Sequence, residues 1–241
     1  MKSLANADEK RVLARIQNDA QTYGLTIGET WTLFSWIKKT HKFERRLPAL
    51  PVDIGFTADE VKHLKSIKLK VRAELERSTS RRCAYCKRGM GNYGYSWQIE
   101  HIRCKNKHHA LTFELKNLTL ACIDCNSAKG KSVDKSNPYL YNIIDPNATG
   151  FKYGSHLRFF YLATEDFCFM KYRCITVQGT ATYNGLKLNV WERAETLKSI
   201  SAPHQEVNAR LDRILDMLSN DDRFSQVTQL LAELKILAFE K

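Results

Sequence analysis

The chain has 241 residues and a mass of 27.8 kDa, enough for one or two domains with a true apolar core. Hydrophobic residues make up 43% and no run of 18 apolar residues occurs, so an ordinary globular chain without a membrane-spanning stretch is expected; the charged start MKSLANADEKRV has no apolar h-region and reads as no secretory signal, so the cytoplasm is the expected compartment. The formal net charge of +12 is uneven: residues 1–80 carry +5, residues 81–135 carry eleven basic against four acidic groups, and residues 136–241 balance, so the middle segment favours a polyanion.

Residues 6–23 read as an amphipathic helix, with Val12, Leu13, Ile16 and Ala20 on one face and Gly24 as the stop. Thr26 and Glu29 have the spacing of a capping box, which starts a second helix through Trp31, Phe34 and Trp36. Pro48 and Pro51 break the pattern. Thr57 and Glu60 form another capping box before a long basic helix to about Arg77, with Val61, Leu64, Val71 and Leu75 at helical spacing. Ser78, Thr79 and Ser80 read as a hinge.

Residues 81–135 differ in kind and are treated below. After Asn137 and Pro138, residues 156–163 and 166–177 are rich in aromatic and β-branched residues and read as strands. Gly179 and Gly185 punctuate a turn region, and Leu188 to about Ile200 reads as a helix. Val207, Leu211, Ile214 and Leu218 mark one further helix; Val227, Leu230, Leu231 and Leu234 mark another. The expected organisation is a helical region over 1–80, a small metal-braced finger over 81–135, and an α+β region over 136–241 that ends in a helical pair. The fold class is α+β.

Seven cysteines in a chain with no export signal make disulfides a poor explanation. Cys83 and Cys86 form one CxxC pair, and Cys122 and Cys125 form a second. Four thiolates suit tetrahedral zinc, and a two-residue gap lets both sulfurs of a knuckle reach one ion. Cys168 and Cys174 lie in apolar strand patterns and read as core; Cys104 has no assignment.

Thirty-five residues separate the knuckles, far more than a zinc ribbon needs. Within them, 95–101 (YSWQIEH) reads as a strand ending in Glu100 and His101, and 117–121 (NLTLA) as a second strand. Residues 123–130 (IDCNSAKG) read as a short helix closed by Gly130. Strand, loop, strand and helix make a ββα finger. CxxC, an acidic-His pair, Asn-Leu before a strand, and CxxCN followed by Lys resemble the HNH (His-Me finger) nuclease motif, in the subgroup clamped by two CxxC pairs. The resemblance covers about 50 residues, Cys83 to Ser132.

Phosphodiester hydrolysis needs an activated water, in-line geometry and relief of charge on the leaving oxygen. An imidazole with a pKa near ~6.5 is poised to take a proton from water, which makes His101 the candidate general base. Glu100 offers a carboxylate and Asn126 an amide oxygen to a hard cation, a donor pair suited to Mg²⁺ or Mn²⁺. The resemblance implies that this metal holds the scissile phosphate, and that Asn117 orients the base or ties the loop. Arg103, Lys105, Lys107, Lys129 and Lys131 are candidate nucleic-acid contacts; His108 and His109 read as solvated loop residues. Two positions depart from the commoner pattern: Glu100 stands where Asp or His is usual, and Cys104 where proline is frequent.

Over a wider stretch, IEHIRCK, CNSAKGKS, NPYLYNIIDP and QGTATYNGLKLN are similar to the PtuB-type HNH nucleases of bacterial Septu anti-phage defence systems. That resemblance implies a phage-responsive DNase working with an ATPase partner. The expected activity is therefore metal-dependent endonucleolytic cleavage of DNA. Beside it stand a non-catalytic zinc-dependent nucleic-acid-binding module and an RNase using the same site.

Overall fold

The computed structural model describes residues 1–44, 51–89, 91, 97–131, 142–163 and 168–198, with isolated residues beyond. They form two compact units, one from residues 1–130 with 145–151 and the other from 131–144 with 152–241.

The first unit opens with three helices: α1 (Ala7–Thr22), α2 (Ile27–Ser35) and α3 (Ala58–Ser78). Each starts at a capping box. The predicted boxes at Thr26–Glu29 and Thr57–Glu60 are both formed, and Asn6 with Glu9 makes a third. Gly24 ends α1 with φ at +57°, a left-handed conformation that costs glycine little. Val12, Leu13 and Ile16 face Leu64, Ile67, Val71 and Leu75 of α3 as buried stripes, while Ala20 and Val61 are only half-buried. The fully buried Glu9 fixes this pairing: its carboxylate accepts from Ser66 Oγ at 2.7 Å and Lys70 Nζ at 2.8 Å.

Where the prolines suggested only a break, the chain makes a hairpin of β1 (Thr40–Phe43) and β2 (Val52–Gly55), antiparallel in the register His41 to Ile54. Its inward residues are His41 and Ile54, with Phe56 just beyond, so four-residue strands suffice to close this side of the core.

The finger follows α3. The first knuckle is pinned to the sheet by Ala84 N donating to Leu120 O at 2.9 Å. β3 (Trp97–His101) pairs antiparallel with β4 (Leu118–Cys122), and α4 (Ile123–Lys131) follows β4 without a gap. This is the expected ββα order; residues 95 and 96 lie outside the described residues. The α-amino group of Met1 donates to Phe113 O at 2.8 Å, within the loop that joins the strands.

The second unit contains an antiparallel pair, β5 (Leu157–Ala163) and β6 (Cys168–Cys174), followed by α5 (Val177–Gly185) and α6 (Leu188–Lys198). Here the turn reading of 179–185 is corrected: Thr176 caps a helix, its hydroxyl accepting from Gly179 N at 3.1 Å. Glycine is needed at 179 for contact rather than for a turn. A Cβ there would fall 2.0 Å from His156 O. Glu192 is buried and accepts from Tyr172 N and Tyr183 Oη, both at 2.6 Å. Cys174 is half-buried rather than core, and the side chain of Cys168 lies outside the described residues. The helices read at 207–218 and 227–234 also lie outside them, apart from isolated helical residues. No helix among the described residues is long and apolar enough to cross a membrane.

Candidate functional site

The four knuckle cysteines converge. All four Sγ atoms of Cys83, Cys86, Cys122 and Cys125 lie within 4.8 Å of one another, and all four residues are buried. A tetrahedron of sulfurs at about 2.3 Å from zinc has edges of roughly 3.8 Å; Cys86 Sγ and Cys122 Sγ are 3.8 Å apart. The donor set therefore fits zinc in both chemistry and size. Backbone N–H groups already point at the sulfurs: Cys122 N donates to Cys83 Sγ at 3.4 Å and Cys125 N to Cys122 Sγ at 3.5 Å. A four-thiolate zinc centre carries a net charge of −2. Arg88 sits against it, donating to Cys86 Sγ at 3.4 Å, Cys122 Sγ at 3.3 Å and Asp124 Oδ2 at 2.7 Å. Without a metal, burial holds the Cys83 thiol well above its usual range, so metal binding must release protons.

The strand alternation of β3 separates the polar residues that precede the loop. Gln98 and Glu100 face α4, where Asn126 Nδ2 donates to Gln98 Oε1 and Lys129 Nζ to Glu100 Oε1. His101 faces the opposite side and is 5% exposed. Its ring stands edge-on to Trp31 of α2, with centroids 4.3 Å apart at 74°. His101 Nε2 lies 3.0 Å from Thr112 O. A carbonyl only accepts, so Nε2 carries the hydrogen and, in the neutral ring, Nδ1 keeps the lone pair. Burial pushes the His101 pKa down to about 4; Lys105 and Lys129 add to the shift, and the Thr112 bond opposes it. The ring is thus neutral at neutral pH.

Residues 83–132 match a protein-family model described as HNH endonuclease. This segment is an HNH endonuclease domain. No curated protein and no solved structure matches the chain. The wider Septu similarity thus stands on its short phrases alone.

Within the HNH domain, Asn117 is buried and clasps both ends of a loop. Its Oδ1 accepts from Arg103 N at 2.8 Å, and its Nδ2 donates to Arg103 O at 3.0 Å and Leu111 O at 3.2 Å. Its backbone carbonyl accepts from Ile102 N at 2.8 Å. The loop it closes leads into Thr112, the residue that orients His101. Lys129, read from sequence as a nucleic-acid contact, is turned inward: Nζ donates to Glu100 Oε1, His101 O and, at 2.7 Å, Ile102 O. Arg103 and Lys107 lie on the loop surface, and Lys105 is half-buried there. The Lys131 side chain lies outside the described residues. His108 and His109 are exposed, and Cys104 is half-buried.

Three contributors escaped the sequence reading. Trp31 and Thr112 act through packing and a backbone carbonyl, which no local pattern announces. Arg88 had a local signal, a basic residue two positions after the second cysteine of a knuckle.

Proposed function

We propose that the HNH domain is the catalytic site of a metal-dependent endonuclease acting on DNA. The observation that carries this reading is the pairing of a carboxylate with a facing amide. Glu100 on β3 looks toward α4, which presents Asn126, while His101 next in sequence is kept neutral by burial and has its proton placed on Nε2 by Thr112 O. Glu100 and Asn126 would hold Mg²⁺ or Mn²⁺, which when bound supplies charge stabilisation at the phosphate and the leaving 3′ oxygen. His101 Nδ1 takes the proton of the attacking water, and Thr112 O stabilises the imidazolium that results. Asn117 keeps that carbonyl in place by closing the loop. The zinc centre holds β4, α4 and the first knuckle together, so that both sides of the site keep their spacing.

The test is cleavage of plasmid DNA, and of an RNA of equal length, by the zinc-loaded chain with Mg²⁺ or Mn²⁺, with His101→Ala beside it. DNA cleavage lost in the variant, with zinc content and circular dichroism unchanged, supports the reading. Cleavage confined to RNA would make it a ribonuclease. Equal cleavage by both proteins would remove His101 as the base. A place in bacterial anti-phage defence, with an ATPase as partner, is the reading that the short Septu-like phrases suggest; co-purification with such an ATPase during phage infection tests it.

A further inference from the structure

We propose that Lys129 is an internal cation at Glu100, and that its ammonium and the catalytic metal compete for that carboxylate. The inference rests on the nuclease reading and concerns how the same site is kept without metal. Lys129 lies on α4 one turn beyond Asn126, on the helix face turned to β3. Its three ammonium protons meet three oxygens: Glu100 Oε1, His101 O and Ile102 O. The side chains of Lys129 and Glu100 are only 11% and 10% exposed. A ring face adds to the enclosure, with Nζ 5.9 Å from the centroid of Tyr85 in the first zinc knuckle. A cation sharing a carboxylate and two carbonyls has the kind of oxygen shell that a hard metal ion takes.

A second observation marks the same place. Thr119 is the direct cross-strand partner of Glu100, and so lies on the same face of the sheet. It is 1% exposed, and its Oγ1 finds no hydrogen-bond partner among the described residues. A buried hydroxyl left unsatisfied beside a carboxylate is a costly arrangement. Its lone pairs suit a cation, and the Lys129 ammonium, which donates to Glu100, His101 and Ile102, makes no bond to them.

One positive charge satisfies this pocket; two in it repel. Metal entry therefore displaces the ammonium from Glu100, and a freed Lys129 stands beside the site that receives the phosphate. Lys129 in this view is a positioning residue: it keeps Glu100 neutralised while the site is empty of metal, and it sets the metal concentration at which the site fills.

The experiment is Mn²⁺ binding to the zinc-saturated, DNA-free full chain, read by electron paramagnetic resonance. Lys129→Gln is expected to bind Mn²⁺ at least about tenfold tighter than wild type. Lys105→Gln, which removes another lysine charge from the same finger, is expected to change affinity less than about threefold, and Glu100→Gln to abolish binding in either background. Unchanged or weaker binding by Lys129→Gln, or an equal gain from Lys105→Gln, overturns the competition. Equal Mn²⁺ binding by wild type and Lys129→Gln, with wild-type DNA cleavage intact, removes this inference alone. Mn²⁺ bound by neither, with no cleavage, removes the nuclease reading with it. If Lys129→Gln loses its zinc, acylation of Lys129 in the wild-type chain decides: protection that Mg²⁺ relieves severalfold is the expected result, and reactivity indifferent to Mg²⁺ overturns the proposal.

Discussion

Trp31 stands edge-on to His101 at 4.3 Å, so a helix 70 residues upstream of the candidate base supplies one wall of its environment. The HNH domain is not chemically self-contained. The wall excludes water, and exclusion of water is the leading cause of the low His101 pKa of about 4.

Trp31→Ala is therefore expected to raise that pKa toward the ordinary value of about 6.5. On the proposed reading the neutral ring is the base, so the acid limb of the cleavage profile moves to higher pH. At pH 5 the variant is slowed more than at pH 8. The stability effect has its own sign. The folded-state pKa lies below the unfolded one, so the unfolded chain takes up the proton first and wild-type stability falls as pH drops from about 6.5 to about 4. That slope is expected to be shallower in Trp31→Ala. Cleavage rates and denaturant midpoints across this window check both; parallel pH profiles in the two proteins would show that Trp31 does not set the base.

Zinc removal is expected to abolish cleavage and unfold the finger, because the four sulfurs tie the first knuckle to β4 and α4, and a finger this small has little apolar burial to replace them. Arg88 adds a graded version. It touches two sulfurs and Asp124 without being a ligand. Arg88→Gln is expected to release zinc to a chelator about tenfold faster, with Cys122→Ser failing to retain zinc at all. Release rates read with a colorimetric chelator test this, and an unchanged rate for Arg88→Gln would leave the arginine only a surface ion pair.

Short-range signals were legible in the sequence. Two capping boxes, the double CxxC and the ββα order needed only spacings of a few residues, and the structure places them as read. What was not legible depended on partners far along the chain. The hairpin at 40–55 escaped because each strand is four residues long and gains its meaning only from the other. α5 escaped because glycine disfavours helices, yet here Gly179 permits a contact with His156 O that any Cβ would forbid. At the site, the residue types Glu100, His101, Asn117 and Asn126 followed from the motif. The inward turn of Lys129 did not, since a lysine near a basic finger reads as a phosphate contact until its three oxygens are seen.

Gly179→Ala is accordingly expected to destabilise the unit that holds β5 and β6 by about 2–3 kcal/mol, the scale of an overpacked core. Backbone, not a flexible side chain, is what the new methyl would meet. Thermal unfolding of the variant measures the loss; a midpoint within one degree of wild type would mean that the α5 contact relaxes at little cost.

Asn117→Ala removes three hydrogen bonds that close the loop leading to Thr112. It leaves the N–H and carbonyl of Arg103 and the carbonyl of Leu111 without that partner. The expected loss is about 1–3 kcal/mol of stability, with a larger proportional effect on turnover, because the carbonyl that fixes the His101 tautomer is no longer held. A turnover rate that falls while the KM for DNA stays unchanged separates this from loss of binding. Asn117→Asp retains Oδ1 as an acceptor for Arg103 N but cannot donate to either carbonyl, so it should recover only part of the stability and of the rate. Full activity in Asn117→Ala would show that Thr112 keeps its place without the clasp.

The charge of residues 81–135, eleven basic against four acidic, makes a prediction about DNA binding rather than chemistry. Each phosphate neutralised releases counterions and contributes about 0.9 to the slope of log K against log salt. Arg103 and Lys107 are exposed on the loop that Asn117 closes, where a phosphate backbone can reach them. Replacing both with alanine should weaken binding and reduce the slope by roughly 2 if each contacts one phosphate. The effect should be the same for DNA of any sequence, since phosphates carry no base identity. Fluorescence anisotropy in Ca²⁺, between low and moderate salt, reads affinity and slope together without cleavage. A slope that stays at the wild-type value while affinity falls would move the phosphate contacts off this loop and onto another part of the basic surface.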